Sequence, residues 1–63
     1  MTPADQAKHA LKSLRMSLSH GWDDARCREY GAEALRGQGV PIADARAVVQ
    51  AVWNKHFRVW GAV

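Results

Sequence analysis

The sequence predicts an all-α fold, a single three-helix domain over residues 1–63. Its composition favours helices, because eleven alanines stand against six valines and one isoleucine. Two glycine-marked breaks, at 20–22 and at 37–41, divide the chain into three segments. Each segment repeats apolar residues at helical spacing. We therefore expect helices at about 3–19, 23–36 and 41–60, joined by loops short enough to make consecutive helices neighbours.

The first helix begins at a strong start signal. Thr2 suits the N-cap and Pro3 suits the first helical position. Gly21 can adopt the left-handed conformation that ends a helix. The apolar face predicted between these limits follows the spacing i, i+4, i+7 and i+11, and it consists of Ala7, Leu11, Leu14 and Leu18.

The second helix has a weaker apolar face. Asp23 or Asp24 can cap its start, and Gly37 or Gly39 can end it. Gly31 lies inside the helix, where glycine costs about 1 kcal/mol relative to alanine. We expect the close approach of another backbone to be the reason for this glycine. The predicted apolar face is Cys27, Tyr30, Ala34 and Leu35.

The third helix is the most apolar. It starts at Pro41 or Ile42, and Gly61 stops it. Two short helices can cover a stripe of about 100° or slightly more, but here the apolar arc spans nearly half the helix. Part of it, centred on Phe57 and Trp60, is therefore expected to contact a second chain unless the first helix reaches far enough to cover Trp60. The arc comprises Ile42, Ala45, Val49, Val52, Trp53, His56, Phe57 and Trp60.

The charge and the cysteine content indicate the setting. Nine basic against six acidic residues give a formal net charge of +3, which suits an acidic partner or simply keeps the chain soluble. The single cysteine excludes an internal disulfide and favours a reducing compartment. Residues 1–20 carry lysines and an arginine and lack the apolar core of a signal peptide. No apolar run is long enough for a membrane span. We expect a cytoplasmic protein without membrane association.

Catalytic and metal-binding patterns are absent from the sequence. The candidate ligands His9, His20, His56 and Cys27 share no recognised spacing, such as CxxC, HxxxH or HExxH. Cys27 falls on the apolar stripe of the second helix, so we expect an inert, buried thiol. The sequence contains no glycine-rich phosphate loop, nucleophile elbow or carboxylate pair. We expect no enzymatic activity, no metal and no cofactor.

The leading functional hypothesis is a small protein-binding regulator or inhibitor, acting through an apolar and basic surface on the third helix. An alanine- and arginine-rich chain of this size suits an accessory protein of a compact high-GC genome, such as that of a bacteriophage or plasmid. The partner is expected to be another protein or a second copy of the chain. Met16 lies off the apolar face of the first helix, where its soft side chain suits a contact. The candidate contact residues are Phe57, Val59, Trp60 and Met16.

The alternative is a DNA-binding regulator related to the helix-turn-helix class, because a glycine-containing turn precedes the longer third helix. The turn at 37–41 is long for this class, and the following helix starts with Asp44 among apolar residues instead of hydrogen-bond donors. Amide side chains can pair with adenine, and arginine can pair with guanine or phosphate. The candidate residues are Arg46, Gln50, Asn54 and Arg58 at successive i+4 steps, with a second basic ridge at Lys8, Lys12 and Arg15.

Overall fold

The computed structural model describes residues 1–57 of the chain. Three α-helices form in this part: α1 spans Pro3–Ser19, α2 spans Asp24–Gly37 and α3 spans Ile42–His56. Each helix contacts both of the others. The all-α three-helix fold predicted from the sequence is confirmed.

The third helix ends earlier than predicted. Phe57 follows its last residue with φ −123° and ψ −28°, which departs from helical geometry. Its backbone amide still donates to the carbonyl of Trp53, at 2.8 Å. The rest of the predicted third helix, residues 58–60, lies outside the described residues.

The first two helices begin at the predicted caps. The Oγ1 atom of Thr2 accepts a hydrogen bond from the Asp5 amide at 3.1 Å. The carboxylate of Asp23 accepts one from the Arg26 amide at 2.8 Å, so Asp23, and not its neighbour, is the cap of α2. A side-chain cap of this kind stabilises a helix by about 1 kcal/mol. The start of α3, with Pro41 in the cap position, has no side-chain cap.

Both turns depend on a glycine with positive φ. Gly21 follows α1 with φ 78°, and Gly39 follows α2 with φ 94°. Gly37, the other candidate terminator, is the last residue of α2. After it the amide of Val40 donates to the carbonyl of Leu35 at 3.2 Å, a bond typical of the Schellman motif that ends many helices. Val40 is thereby folded back into the core, where it is buried.

The core is small and forms where the three helices meet. A β-carbon added at Gly31 would lie 3.2 Å from Cγ2 of Val49 and 3.6 Å from Cδ2 of Leu14. The atoms nearest to this position belong to side chains of the other two helices, whereas the sequence had suggested the close approach of another backbone. The buried apolar residues are Ala10, Leu14, Cys27, Ala32, Leu35, Val40, Ala45, Val49, Val52 and Trp53.

The buried face of α1 is rotated away from the predicted leucine stripe. Small residues point to the core instead, because they let α1 approach its neighbours closely. Ser17 is fully buried, and its hydroxyl donates to the carbonyls of Ser13 and Leu14, so the burial leaves no unsatisfied donor. Leu14 is the member of the predicted stripe that is fully buried. Ala7, Leu11 and Leu18 pack at the edge of the core, half-buried.

Candidate functional site

Two helices bring a tyrosine and a methionine together on the surface. Tyr30 was predicted on the apolar face of α2, yet it is 38% exposed. Its hydroxyl donates to the Sδ atom of Met16 on α1 at 3.9 Å. Met16 is itself 45% exposed, as expected for a residue off the apolar face. Within residues 1–57, Met1 is the other large apolar residue classed as exposed.

Trp22 extends this surface from the turn between α1 and α2. It packs against the core and meets the ring of Tyr30 edge-on, with centroids 5.4 Å apart. His20 stacks on the indole at 5.5 Å, and the guanidinium of Arg26 lies 4.1 Å from the ring centroid. We call these residues, Met16, His20, Trp22, Arg26 and Tyr30, the aromatic patch.

Local sequence positions the aromatic patch. Trp22 directly precedes the Asp23 cap, and its carbonyl accepts a hydrogen bond from the buried Cys27 thiol at 3.5 Å. Arg26 and Tyr30 follow at successive i+4 steps, so they continue along one face of α2. A cation over an exposed ring contributes about 0.5–1 kcal/mol. An aromatic pair contributes about 0.5–1.5 kcal/mol beyond burial. The patch is therefore held in place before any partner binds.

The residue types of the patch suit contact with a protein. Tryptophan, tyrosine, methionine and arginine are enriched in the buried centres of protein interfaces. Met16 is the one member of the patch that the sequence predicted as a contact residue. The spacing i, i+4 and i+8 of Trp22, Arg26 and Tyr30 could have predicted that these three side chains lie along one face. Their contact with Met16 could not be predicted from spacing, because it depends on how α1 packs against α2.

At the end of α3, one of the predicted contact residues is described. Phe57 is half-buried and packs against the core, with its ring 5.1 Å from that of Trp53. Phe57 is therefore part of the core edge as well as a candidate contact. Val59 and Trp60 lie outside the described residues.

The polar face of α3 is exposed as predicted, but its side chains are bonded within the protein. Arg46 forms an ion pair with Glu29 of α2, with 3.1 Å between Nη2 and Oε1. Gln50 donates from Nε2 to Oδ1 of Asn54 at 2.9 Å. Arg58, the fourth member of this predicted face, lies outside the described residues. A base-reading role would require these bonds to be exchanged for bonds to DNA.

The basic ridge of α1 is open. Lys8, Lys12 and Arg15 are all exposed along one side of the helix. The ion pairs found within residues 1–57 join Arg36 to Glu33 and Arg46 to Glu29. Neither pair involves the basic ridge. The ridge is thus available to an acidic partner or to phosphates.

The turn before α3 departs from a helix-turn-helix unit. It spans residues 38–41, and Leu35 occupies the position four residues before Gly39, where that class favours a small residue. Leu35 is fully buried in the core. The first turn of α3 exposes Ala43 and Asp44, which offer no donor side chain to base edges.

The described residues also bear on metal binding and on membrane crossing. No group of three or more histidine, cysteine, aspartate or glutamate side chains in residues 1–57 is placed to hold a metal ion. None of the three described helices combines the length and the apolarity needed to cross a bilayer. Cys27 is fully buried and engaged with the Trp22 carbonyl.

No protein-family model, curated protein or solved structure matches this chain. The fold and the patch together define its class, a small three-helix bundle with an exposed aromatic surface.

Proposed function

We propose that this chain is a protein-binding module that acts as a regulator or inhibitor, with the aromatic patch as its contact surface. The observation that carries this proposal is the convergence of Met16, Trp22 and Tyr30 at one exposed place, from two helices and the turn between them. An apolar surface of this kind is a recognised mark of an interaction site. The contact surface at the end of α3 that the sequence favoured stays a prediction, because Val59 and Trp60 lie outside the described residues.

The energetics of the patch support this role. Tryptophan, tyrosine and arginine dominate interface hot spots, where truncation of one residue typically costs 2 kcal/mol or more. Trp22 is already fixed by His20, Arg26 and Tyr30, so binding would immobilise few side chains. Less conformational entropy is then lost on association. A partner would present an apolar surface with an acceptor opposite the Arg26 guanidinium and a donor opposite the Tyr30 hydroxyl oxygen, whose proton is donated to Met16.

The test uses the full chain as bait in a nuclease-treated extract of the source cells. The patch variant is Met16→Glu/Tyr30→Glu, and the control is Ala43→Glu/Ala47→Glu, which places the same two charges on exposed sites of α3. We expect a protein that binds the wild type and the control with equal affinity by titration calorimetry. The patch variant should bind roughly a hundredfold more weakly, about 2.7 kcal/mol. A partner that binds the patch variant as tightly as the wild type would contradict the proposal.

A second copy of the chain is one candidate partner. Sedimentation velocity over a range of concentrations separates this case from a heterologous partner. A homodimer built on the aromatic patch should dissociate on dilution, and Met16→Glu/Tyr30→Glu should be monomeric throughout. If self-association persists in that variant, the homodimer uses another surface.

Nucleic-acid binding is the second candidate function, favoured by the exposed basic ridge of Lys8, Lys12 and Arg15. Under this alternative the affinity for duplex DNA should fall by about 0.9 log unit per log unit of salt for each phosphate contacted. Lys12→Glu/Arg15→Glu should abolish it. An apolar protein interface would respond weakly to salt, so the salt slope distinguishes the two functions.

A further inference from the structure

A groove separates the first half of α1 from the second half of α3. Its volume is about 390 Å³. Leu11 of α1 and Val52 of α3 form its floor, and Ala51 lies beside them. The groove shares no residue with the aromatic patch.

The rotation of α1 explains why the groove is apolar. Small residues of α1 occupy the core, so Leu11 lies at the edge, half-buried. Ala51 lines the same space with only a methyl group, and it is exposed. An apolar cleft therefore remains where α1 and α3 do not close against each other.

The rim of the groove is basic. Lys8 lies on the α1 side, while Lys55 and His56 lie on the α3 side, and none of the lining residues is acidic. Both lysines are exposed at the surface. A ligand in the groove would therefore have an apolar floor beneath it and a cation on each flank. Charge complementarity of this kind selects an acidic partner and speeds its association.

We propose that this groove docks an amphipathic helix of a partner protein, with an apolar stripe flanked by acidic side chains. Helices recognised in this way insert residues at i, i+3 or i+4 and i+7 between two helices of the receptor. The helices described in residues 1–57 already turn their most apolar faces into the core. A second copy of this chain therefore has no such stripe to offer among those helices.

The probe is a displayed library of helical peptides about five turns long, with a fixed leucine stripe and flanks randomised among Glu, Lys and Ser. The full chain is the bait. We expect selection of Glu on both flanks. Selection of Lys, or recovery of no binding peptide, would overturn the proposal.

Paired variants locate the binding site of the selected peptide. Ala51→Glu places a carboxylate inside the groove, whereas Ala47→Glu places the same group on the exposed part of α3 one turn away. We expect Ala51→Glu to weaken peptide binding by roughly tenfold or more through repulsion and obstruction. Ala47→Glu should bind like the wild type. Equal binding by both variants would overturn the proposal.

A second pair of variants tests the basic rim of the groove. This pair also tests the proposal if Ala51→Glu does not fold. Lys8→Glu/Lys55→Glu reverses the two rim lysines, and Lys12→Glu/Arg15→Glu makes the same change in net charge outside the groove. Lys8→Glu/Lys55→Glu should lower the affinity for the Glu-flanked peptide by roughly tenfold or more. Lys12→Glu/Arg15→Glu should lower it by much less. Equal losses would indicate attraction by net charge alone and would overturn the proposal.

Further measurements test whether the groove binds independently of the aromatic patch, and whether the chain itself or a second copy occupies the groove. Met16→Glu/Tyr30→Glu should retain peptide binding, because the two surfaces share no residue. In the free protein, nuclear Overhauser contacts between Trp60 and Leu11 would show that the chain covers its own groove. Self-association lost in Ala51→Glu would show that a second copy occupies it. Either result would overturn the proposal.

Discussion

Val49 of α3 packs so closely on Gly31 of α2 that a β-carbon at residue 31 would lie 3.2 Å from Cγ2 of the valine. Leu14 of α1 reaches the same space, so all three helices meet at this glycine. Glycine inside a helix costs about 1 kcal/mol relative to alanine, and the burial of Val49 offsets that cost. A methyl group at residue 31 would thus require the Val49 side chain to shift by a few tenths of an ångström.

The contact predicts a coupling between residues 31 and 49. Gly31→Ala adds a good helix former but crowds Val49, whereas in a Val49→Ala background the crowding is relieved. We expect Gly31→Ala to be more favourable by about 1 kcal/mol in that background than in the wild type. Urea unfolding of the four proteins measures the coupling. Equal effects of Gly31→Ala in both backgrounds would show that the two residues do not interact.

The positive φ of Gly39 predicts that a side chain there lowers stability through backbone strain and not through crowding. No atom lies within 4 Å of a β-carbon added there, so Gly39→Ala should destabilise through the backbone alone, by about 1–2 kcal/mol. Gly37→Ala is the matched control, because Gly37 is helical, exposed and equally uncrowded. It should stabilise by about 0.5 kcal/mol. Thermal unfolding followed by circular dichroism gives both values, and equal melting temperatures for the two variants would contradict this account.

The close approach of α1 predicts that residue 17 tolerates loss but not gain of volume. Ser17 is fully buried, and its hydroxyl bonds carbonyls of its own helix. Ser17→Ala should therefore change the free energy of unfolding by less than about 1 kcal/mol. Ser17→Leu should lower it by about 1–3 kcal/mol, because the core has no space for the larger side chain. A leucine variant as stable as the wild type would mean that α1 can move outward freely.

Burial predicts a thiol that does not react in the native protein. Cys27 is fully buried, and its thiol bonds the Trp22 carbonyl. We expect labelling by a disulfide reagent to be slow in buffer and to rise with urea along the unfolding curve. The urea-unfolded chain provides the fully reactive reference. Rapid labelling without denaturant would show that the start of α2 opens locally.

The ion pair between Arg46 and Glu29 should contribute little to stability. Both side chains are more than half exposed, at 59% and 53%, and exposed pairs typically contribute about 0–1 kcal/mol. Arg46→Gln should therefore shift the melting temperature by no more than a few degrees. Glu29→Gln is the matched control and should behave alike. If Arg46→Gln unfolds the protein, loss of DNA binding in that variant could not be assigned to recognition.

Features set by local sequence were predictable. The caps at Thr2 and Asp23 and the left-handed Gly21 follow from residue types at adjacent positions, and all three are found. The face that α1 buries was not predictable from its leucines. The side of α1 that faces the core depends on how closely the three helices can approach one another. Close approach favours burial of the small Ser17 over the more apolar Leu11.

The candidate sites were predictable only in part. Exposure of Met16 and of the α3 polar face follows from helical periodicity and was anticipated. The bond from Tyr30 to Met16 and the ion pair of Arg46 join different helices, so neither could be deduced from spacing along one helix. The surplus of apolar surface inferred for α3 stays a prediction, because Trp60 lies outside the described residues, while Phe57 packs against the core.

The position of Trp22 gives the molecule a built-in optical reporter. Its indole lies half-buried in the aromatic patch, while that of Trp53 is only 8% exposed within the core. In the variant Trp60→Phe, which removes the third tryptophan, a ligand that covers the patch would change the fluorescence emission of Trp22 and shield it from iodide, whereas one bound elsewhere would leave that quenching unchanged. Occupancy of this surface can thus be followed without attaching a dye.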